Sequence, residues 1–311
     1  MLKRMPVWSR WLLQLFISIG LVGFVLAQVD PEQVRAVVMR PQLTAWATAG
    51  VVLGFLLFNA SKIVSAMRLN IYQRHIGVHL SERENLRLCY AGMFLNLFLP
   101  GGIGGDGYKI AVLRRQQHAP VRTLVLITLA DRVSGLLTLL LLLMPLCVLL
   151  PPALLAPVFA KLPAFFGVRE LAVAGALVIA GAFLLLHAYV LRIGGKTTLL
   201  VFGYSLVVQL MQLGCIMSVL LYLQVAPANF LAYLAVFLVS SVAAVLPLSV
   251  GGLGAREITF FYGLRLLSLE PTQGIVASSG FFLITLLSSL IGALFIGHAF
   301  PPPSAVSGAK P

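Results

Sequence analysis

Eight charged residues in this chain stand inside or directly beside long apolar runs, where a charge must be paired or put to use: Lys62, Arg68, Asp106, Lys109, Asp131, Arg132, Arg256 and Glu257. Their chemistry is ionic. Lysine and arginine hold phosphate and other anions, and arginine adds a planar fork that fits two oxygens at once. Carboxylates in the same place balance those cations, select a cationic group or carry a coupling proton. Asp106 and Lys109 follow Leu99-Pro100-Gly101-Gly102-Ile103-Gly104-Gly105, and Arg256 and Glu257 follow Leu246-Pro247-Leu248-Ser249-Val250-Gly251-Gly252. Both stretches fit L-P-x-x-x-G-G. Proline removes a helical hydrogen bond and paired glycines permit backbone that a helix cannot hold, so each stretch breaks an apolar segment in its middle. Asp131 and Arg132 are neighbours in one apolar run; adjacent residues on a helix do not face one another, so each needs a partner elsewhere. Lys62 and Arg68 close an apolar run, and Lys62 reads as an interfacial residue that snorkels to the headgroups.

The elements that position these charges are membrane helices. Of 311 residues, 60% are hydrophobic and only 10% charged, against about 25% charged in a soluble domain. No Asp, Glu, Lys or Arg occurs in 11–29, 41–61, 133–160, 171–191, 197–255 or 271–309, and a crossing needs roughly 20 apolar residues. Full spans are expected near 12–29, 43–61, 123–150, 171–191, 198–223 and 272–297. Two broken segments lie near 86–115 and 229–267. The net charge of +13 sits in short loops, as the positive-inside rule produces, and not in a nucleic-acid surface. Lys3, Arg4 and Arg10 precede the first apolar run, which reads as a retained helix rather than a cleaved signal. Both termini, 62–87 and 107–122 belong to the cytoplasmic side; 30–42, 151–170 and 251–270 belong outside. The segment 86–115 then starts and ends on one side, as a re-entrant hairpin does, while 229–250 is long enough to cross.

The expected fold is an all-α polytopic membrane protein. It has six full spans plus two Pro/Gly-broken re-entrant hairpins, or eight crossings, arranged as an inverted repeat. One domain covers 1–301, in halves of about 1–155 and 156–301, and a disordered tail follows over 302–311. Inverted repeats with broken helices at the midplane are a transporter pattern. A charged pair beside each break makes a cavity polar within and greasy without, which suits a lipid whose headgroup crosses while its tails stay in hydrocarbon. Gly50-x-x-x-Gly54 is a weak helix-packing signal. Cys89, Cys147 and Cys215 are odd in number and read as small core hydrophobes. The five histidines lack metal-ligand spacing, and no P-loop, nucleophile motif or acid pair stands out, so no cofactor or metal is implied.

Taken in order, Ala66-Met67-Arg68, Asn96-Leu97-Phe98-Leu99-Pro100, Gly104-Gly105-Asp106 with Lys109, Asp131-Arg132 and Gly251-Gly252-Leu253-Gly254-Ala255-Arg256-Glu257 resemble the lysylphosphatidylglycerol synthase transmembrane-region family. This is the flippase-like module of the bacterial multiple peptide resistance factor. Members often carry Arg-Trp where this chain has Arg68-Leu69, and Arg where it has Lys109. The resemblance implies a stand-alone flippase-like domain of the cytoplasmic membrane that translocates lipid without synthesising it. The expected cargo is a phospholipid, an aminoacylated lipid or a polyprenyl-linked glycolipid. Arg68, Asn96, Asp106, Lys109, Asp131, Arg132, Arg256 and Glu257 are the expected substrate-binding residues. Pro100, Gly104, Gly105, Pro247, Gly251 and Gly252 are the expected breaks. Membrane lipids are the expected partners, with a lipid-modifying enzyme or a second copy of the chain as further candidates and no nucleic acid. Two alternatives stay open: an accessory subunit or enzyme of lipid or glycan synthesis, and an ion-coupled carrier of a small solute.

Overall fold

A computed structural model of the chain describes residues 16, 19–25, 27–28, 30–38, 45–98, 104–117, 119–159, 167–245 and 251–296. Pro100, Pro247, residues 12–15, 17, 18, 26 and 29 of the first expected span and the tail 302–311 lie outside the described residues. Every regular element described is helical. We label the long ones α1 (Ala45–His75), α2 (Glu82–Phe98), α3 (Gly104–Gln117), α4 (Val121–Leu149), α5 (Val168–Leu185), α6 (Gly195–Tyr222), α7 (Phe230–Val245), α8 (Ala255–Leu266) and α9 (Thr272–Leu290). Six helical stretches among the described residues are long and apolar enough to cross a membrane: Ala49–His75, Val121–Leu149, Val168–Val190, Gly195–Tyr222, Pro227–Val245 and Thr272–Phe295. Their outer surfaces are greasy. Leu177, Val178 and Leu199 are 69–72% exposed, an arrangement that is stable only against hydrocarbon.

The helix that holds the second expected span, 43–61, is longer than that span. Neither Pro nor Gly follows Gly54 until Gly77, so nothing stops the helix at residue 61, and α1 continues to His75. Gly77 ends it with a φ of +79°. The Val78 N–H reaches back to the Gln73 carbonyl at 2.9 Å, a glycine stop that satisfies the last carbonyls. Lys62 and Arg68 consequently stand in the middle of a helix and not at its end.

α1 runs beside α6 along most of its length. A side chain at Gly54 would collide with the Ser218 hydroxyl, and one at Gly214 would come within 3.1 Å of Leu57. The Gly54 face is thus a genuine close-packing surface, where small residues let backbones approach. Phe58, Ile216, Leu220, Phe237, Phe260 and Phe281 fill the centre between α1, α6, α7, α8 and α9. Of the first expected span, residues 19–25 are helical, and Val25 packs against Phe261 and Ile275.

Both broken segments fold back as hairpins, α2 on α3 and α7 on α8. The arms of the first are 17 and 14 residues long, short of the roughly 20 a crossing requires. The second begins with the crossing-length stretch Pro227–Val245 and returns through a 12-residue arm. The two hairpins therefore differ in dimensions.

Candidate functional site

A cavity of about 400 Å³ opens where the two hairpins meet α1, α4 and α9. α1 contributes Lys62, Ser65, Arg68 and Leu69; α2 contributes Cys89, Tyr90 and Asn96; α3 contributes Asp106 and Lys109. α4 adds Thr128, Asp131 and Arg132; the second break and α8 add Gly251, Gly252 and Arg256; α9 adds Thr285 and Ser289. The helical spacing explains the α1 contribution, since positions three and four apart share a face. Seven of the eight expected binding residues line this one space, and Glu257 does not.

The charges pair across helices, as adjacent placement of Asp131 and Arg132 requires. Arg68 Nε lies 2.8 Å from Asp131 Oδ1, linking α1 to α4, and Arg68 Nη1 donates to the Ser205 hydroxyl of α6 at 2.9 Å. Lys109 Nζ lies 2.8 Å from Asp106 Oδ1 within α3. The other oxygen of Asp106 pairs with Arg132 Nε, linking α3 to α4. One carboxylate therefore holds two cations. Arg68 is 4% exposed and Asp106 7%, while the Arg132 side chain is 32% exposed.

Arg256 has a different environment. Its Nη1 donates to Ser241 Oγ at 3.0 Å, and its guanidinium lies 4.9 Å from the centre of the Phe281 ring and 5.6 Å from that of Phe237. The expected Arg256–Glu257 pair is not formed. Glu257 Oε2 instead accepts the Gly254 N–H at 2.6 Å, and its Oε1 accepts the Ser278 hydroxyl at 2.9 Å. Three residues separate the carboxylate from the helix start it caps, so a local backbone bond wins over the adjacent cation. Glu257 is a capping residue, 2% exposed.

Asn96 has a structural duty besides lining the cavity. Its Oδ1 accepts the Gly105 N–H at 2.8 Å, tying the end of α2 to the start of α3. Gly105 is required for close approach: a Cβ there would strike the backbone of Gly92, and one at Gly92 would meet Lys109 Cε at 3.2 Å. In the second break the demand is conformational, with φ of +60° at Gly251 and +85° at Gly252. Gly104 opens α3.

Sequence reasoning misplaced Lys62. It does not snorkel; it lines the cavity with Nζ 4.5 Å from the centre of the Phe58 ring. The signal was available in the Lys62, Ser65, Arg68/Leu69 spacing, once the helix is allowed to run past residue 61. Cys89 also lines the cavity rather than belonging only to the core, while Cys215 is fully buried and all three thiols are free. A further polar group went unnoticed. Fully buried His187 faces the Phe183 carbonyl through Nδ1 at 2.8 Å and Tyr72 Oη through Nε2 at 2.8 Å. Tyr72 Oη is 2.6 Å from Ser134 Oγ, which lies 2.8 Å from the Ala130 carbonyl. Tyr72 is one turn beyond Arg68, so this polar line connects the cavity wall to the π-turn Leu186–Val190 that extends α5.

The model of one protein family, described as the lysylphosphatidylglycerol synthase transmembrane region, matches residues 11–292. The chain belongs to that family. A search of curated proteins and a search of solved structures gave no significant match. The family is a membrane domain associated with lipid handling. In this member of the lysylphosphatidylglycerol synthase transmembrane-region family, the charged motif residues from Arg68 to Arg256 are scattered along the chain, yet they line a single cavity.

Proposed function

We propose that this chain moves a lipid across the cytoplasmic membrane by passing its headgroup through the charged cavity while the acyl chains remain in the bilayer. The reading is a transporter and not an enzyme. The observation that carries it is the location of the cavity: a strongly charged space of headgroup size between two glycine-broken hairpins, inside a bundle whose outer surface is apolar. Irregular backbone at membrane depth is tolerated where it is buried or lines a wet cavity, and charge at depth is costly unless it serves a pathway. Family membership supports lipid as the cargo class. The same reasoning makes Arg68, Asp106, Lys109, Asp131, Arg132 and Arg256 the headgroup-facing set. The proposed orientation places both termini in the cytoplasm, because the basic loops lie on that side.

The test is reconstitution of the full chain in liposomes carrying fluorescent lipids in both leaflets, with quencher added outside. Protein-dependent exposure of inner-leaflet lipid is the expected result. Asp131→Asn keeps volume but removes the partner of Arg68, and should purify in folded form yet slow translocation at least tenfold. Failure of every labelled lipid to cross, or an Asp131→Asn rate equal to the parent, sinks the reading.

A further inference from the structure

We infer that the cavity selects a headgroup carrying two negative charges, and that Lys62 and Arg256 together form the seat for them. The inference rests on the lipid-translocation reading for how the cargo arrives, but the charge argument stands on the lining alone.

Five cations line the cavity (Lys62, Arg68, Lys109, Arg132 and Arg256) against two carboxylates, Asp106 and Asp131, an excess of three. All nine Asp and Glu of the chain fall within the described residues, so no side-chain carboxylate is missing from the count. Asp131 is engaged by Arg68, and Asp106 by both Lys109 and Arg132. Glu257 lies behind the wall in its helix cap; adding it still leaves an excess of two.

That excess is concentrated. Among the described residues, neither Lys62 nor Arg256 forms a salt bridge with a carboxylate. Both rest on one aromatic cluster: Lys62 lies over Phe58 and Arg256 over Phe281 and Phe237. The rings touch edge to face, Phe58 to Phe281 at 5.6 Å and Phe237 to Phe281 at 4.9 Å. Aromatic faces attract cations without using their hydrogen-bond donors. The lysine ammonium and the guanidinium nitrogens not bonded to serine therefore keep donors for oxygen acceptors. Two like charges on one ring cluster also repel, and an anion that bridges them removes the repulsion.

The chemistry that meets this demand is two phosphoryl charges in one compact headgroup: a phosphomonoester, a diphosphate or a pair of phosphodiesters. A phosphomonoester carries close to two charges near neutral pH. A singly charged phosphodiester leaves the seat half compensated, and a zwitterion adds no net charge. A cationic aminoacyl headgroup would need a free carboxylate, and both carboxylates in the wall are already committed. The order of preference is therefore dianionic, monoanionic, zwitterionic, cationic.

The test uses the full chain in detergent and native mass spectrometry with equimolar probes. These are dioleoyl phosphatidic acid, tetraoleoyl cardiolipin and undecaprenyl diphosphate, against dioleoyl phosphatidylglycerol, phosphatidylethanolamine and lysylphosphatidylglycerol. The three dianions should be retained roughly tenfold above phosphatidylglycerol, with lysylphosphatidylglycerol lowest. The best of the three identifies the phosphoryl arrangement. Inorganic diphosphate as competitor separates sources: displacement only at large excess assigns the seat to lipid, and displacement at equal concentration assigns the same seat to a soluble diphosphate.

Lys62→Gln and Arg256→Gln should each cut dianion binding roughly tenfold, as loss of a charged hydrogen-bond donor does, while thermal stability stays level or rises because a repulsion is relieved. Arg114→Gln, on an exposed position of α3, should leave the preference intact. The proposal is overturned if phosphatidylglycerol or lysylphosphatidylglycerol binds as well as the dianions, if both Gln variants keep the preference, or if Arg114→Gln abolishes it equally. Translocation in liposomes is read separately. A charge ranking without any transport refutes the translocation reading and leaves the seat standing; transport without a ranking does the reverse.

Discussion

The two L-P-x-x-x-G-G breaks are alike in sequence and unlike in the physics that requires their glycines. In the first, Gly105 is needed because its neighbour is another backbone, that of Gly92. In the second, Gly251 and Gly252 are needed because their φ angles are positive, a region L side chains enter only at a cost. The acidic residues that follow differ in the same way. Asp106 is the third residue of α3 and Glu257 the third residue of α8, so each sits in a helix first turn where negative charge is favoured. Asp106 turns into the cavity and holds two cations, whereas Glu257 turns back and caps its own helix. A repeated motif can thus preserve a shape while its copies exchange duties: one copy anchors charge and the other leaves Arg256 without a carboxylate partner.

The widest separation between the two breaks should come from their acids. Asp106→Asn strands Lys109 and takes a carboxylate from Arg132, and removing one member of a buried ionic set costs about 3–5 kcal/mol. We expect a large drop in melting temperature in detergent together with loss of translocation; a variant with parental stability would mean that the paired cations find other partners. The glycines come next. Gly105→Ala forces α2 and α3 apart, and overpacking costs about 1–3 kcal/mol. Gly252→Ala meets Ala244 Cβ at 2.8 Å and adds a left-handed conformation worth about 1–2 kcal/mol. Hydrogen exchange should report opening along both arms of the first hairpin for Gly105→Ala, and only around the turn for Gly252→Ala. Identical exchange maps would erase the distinction between contact and conformation. Glu257→Gln is the smallest change. The amide oxygen can still accept from Gly254 and its nitrogen can donate to Ser278, so about 1 kcal/mol is lost. Transport should continue at the parental rate. A transport-dead but stable Glu257→Gln protein would return Glu257 to the cavity set.

Much of this was legible in the residues. Apolar runs reveal membrane helices because the bilayer imposes one length: five of the six predicted spans correspond to long helices here, and of the first, residues 19–25 are helical while several others lie outside the described residues. The pairing of Asp131 and Arg132 with separate partners followed from helical geometry alone. What sequence hid were the endpoints and the directions. The charge-free run ends at Ser61, but charge does not stop a helix; a breaker does, and the next is Gly77. Glu257 was grouped with Arg256 because they are adjacent, but side-chain direction is decided by a local cap. Ser205 and Ser241 could not be read as partners of Arg68 and Arg256, since hydroxyls in apolar helices carry no spacing signal of their own.

The hydroxyl line beside Arg68 has a sense of travel. Nδ1 of His187 faces a carbonyl, so it bears the hydrogen and leaves Nε2 as the acceptor. Tyr72 must then give its hydrogen to His187, and the single hydrogen of Ser134 can serve either Tyr72 or the Ala130 carbonyl but not both. Place a second hydrogen on that ring and every member turns about: Nε2 donates to Tyr72, Tyr72 to Ser134, and Ser134 to Ala130. The neutral ring leaves two hydrogens for three contacts, and the second ring hydrogen fills all three. The wall between α1, α4 and α5 is accordingly one hydrogen short when the ring carries one and complete when it carries two.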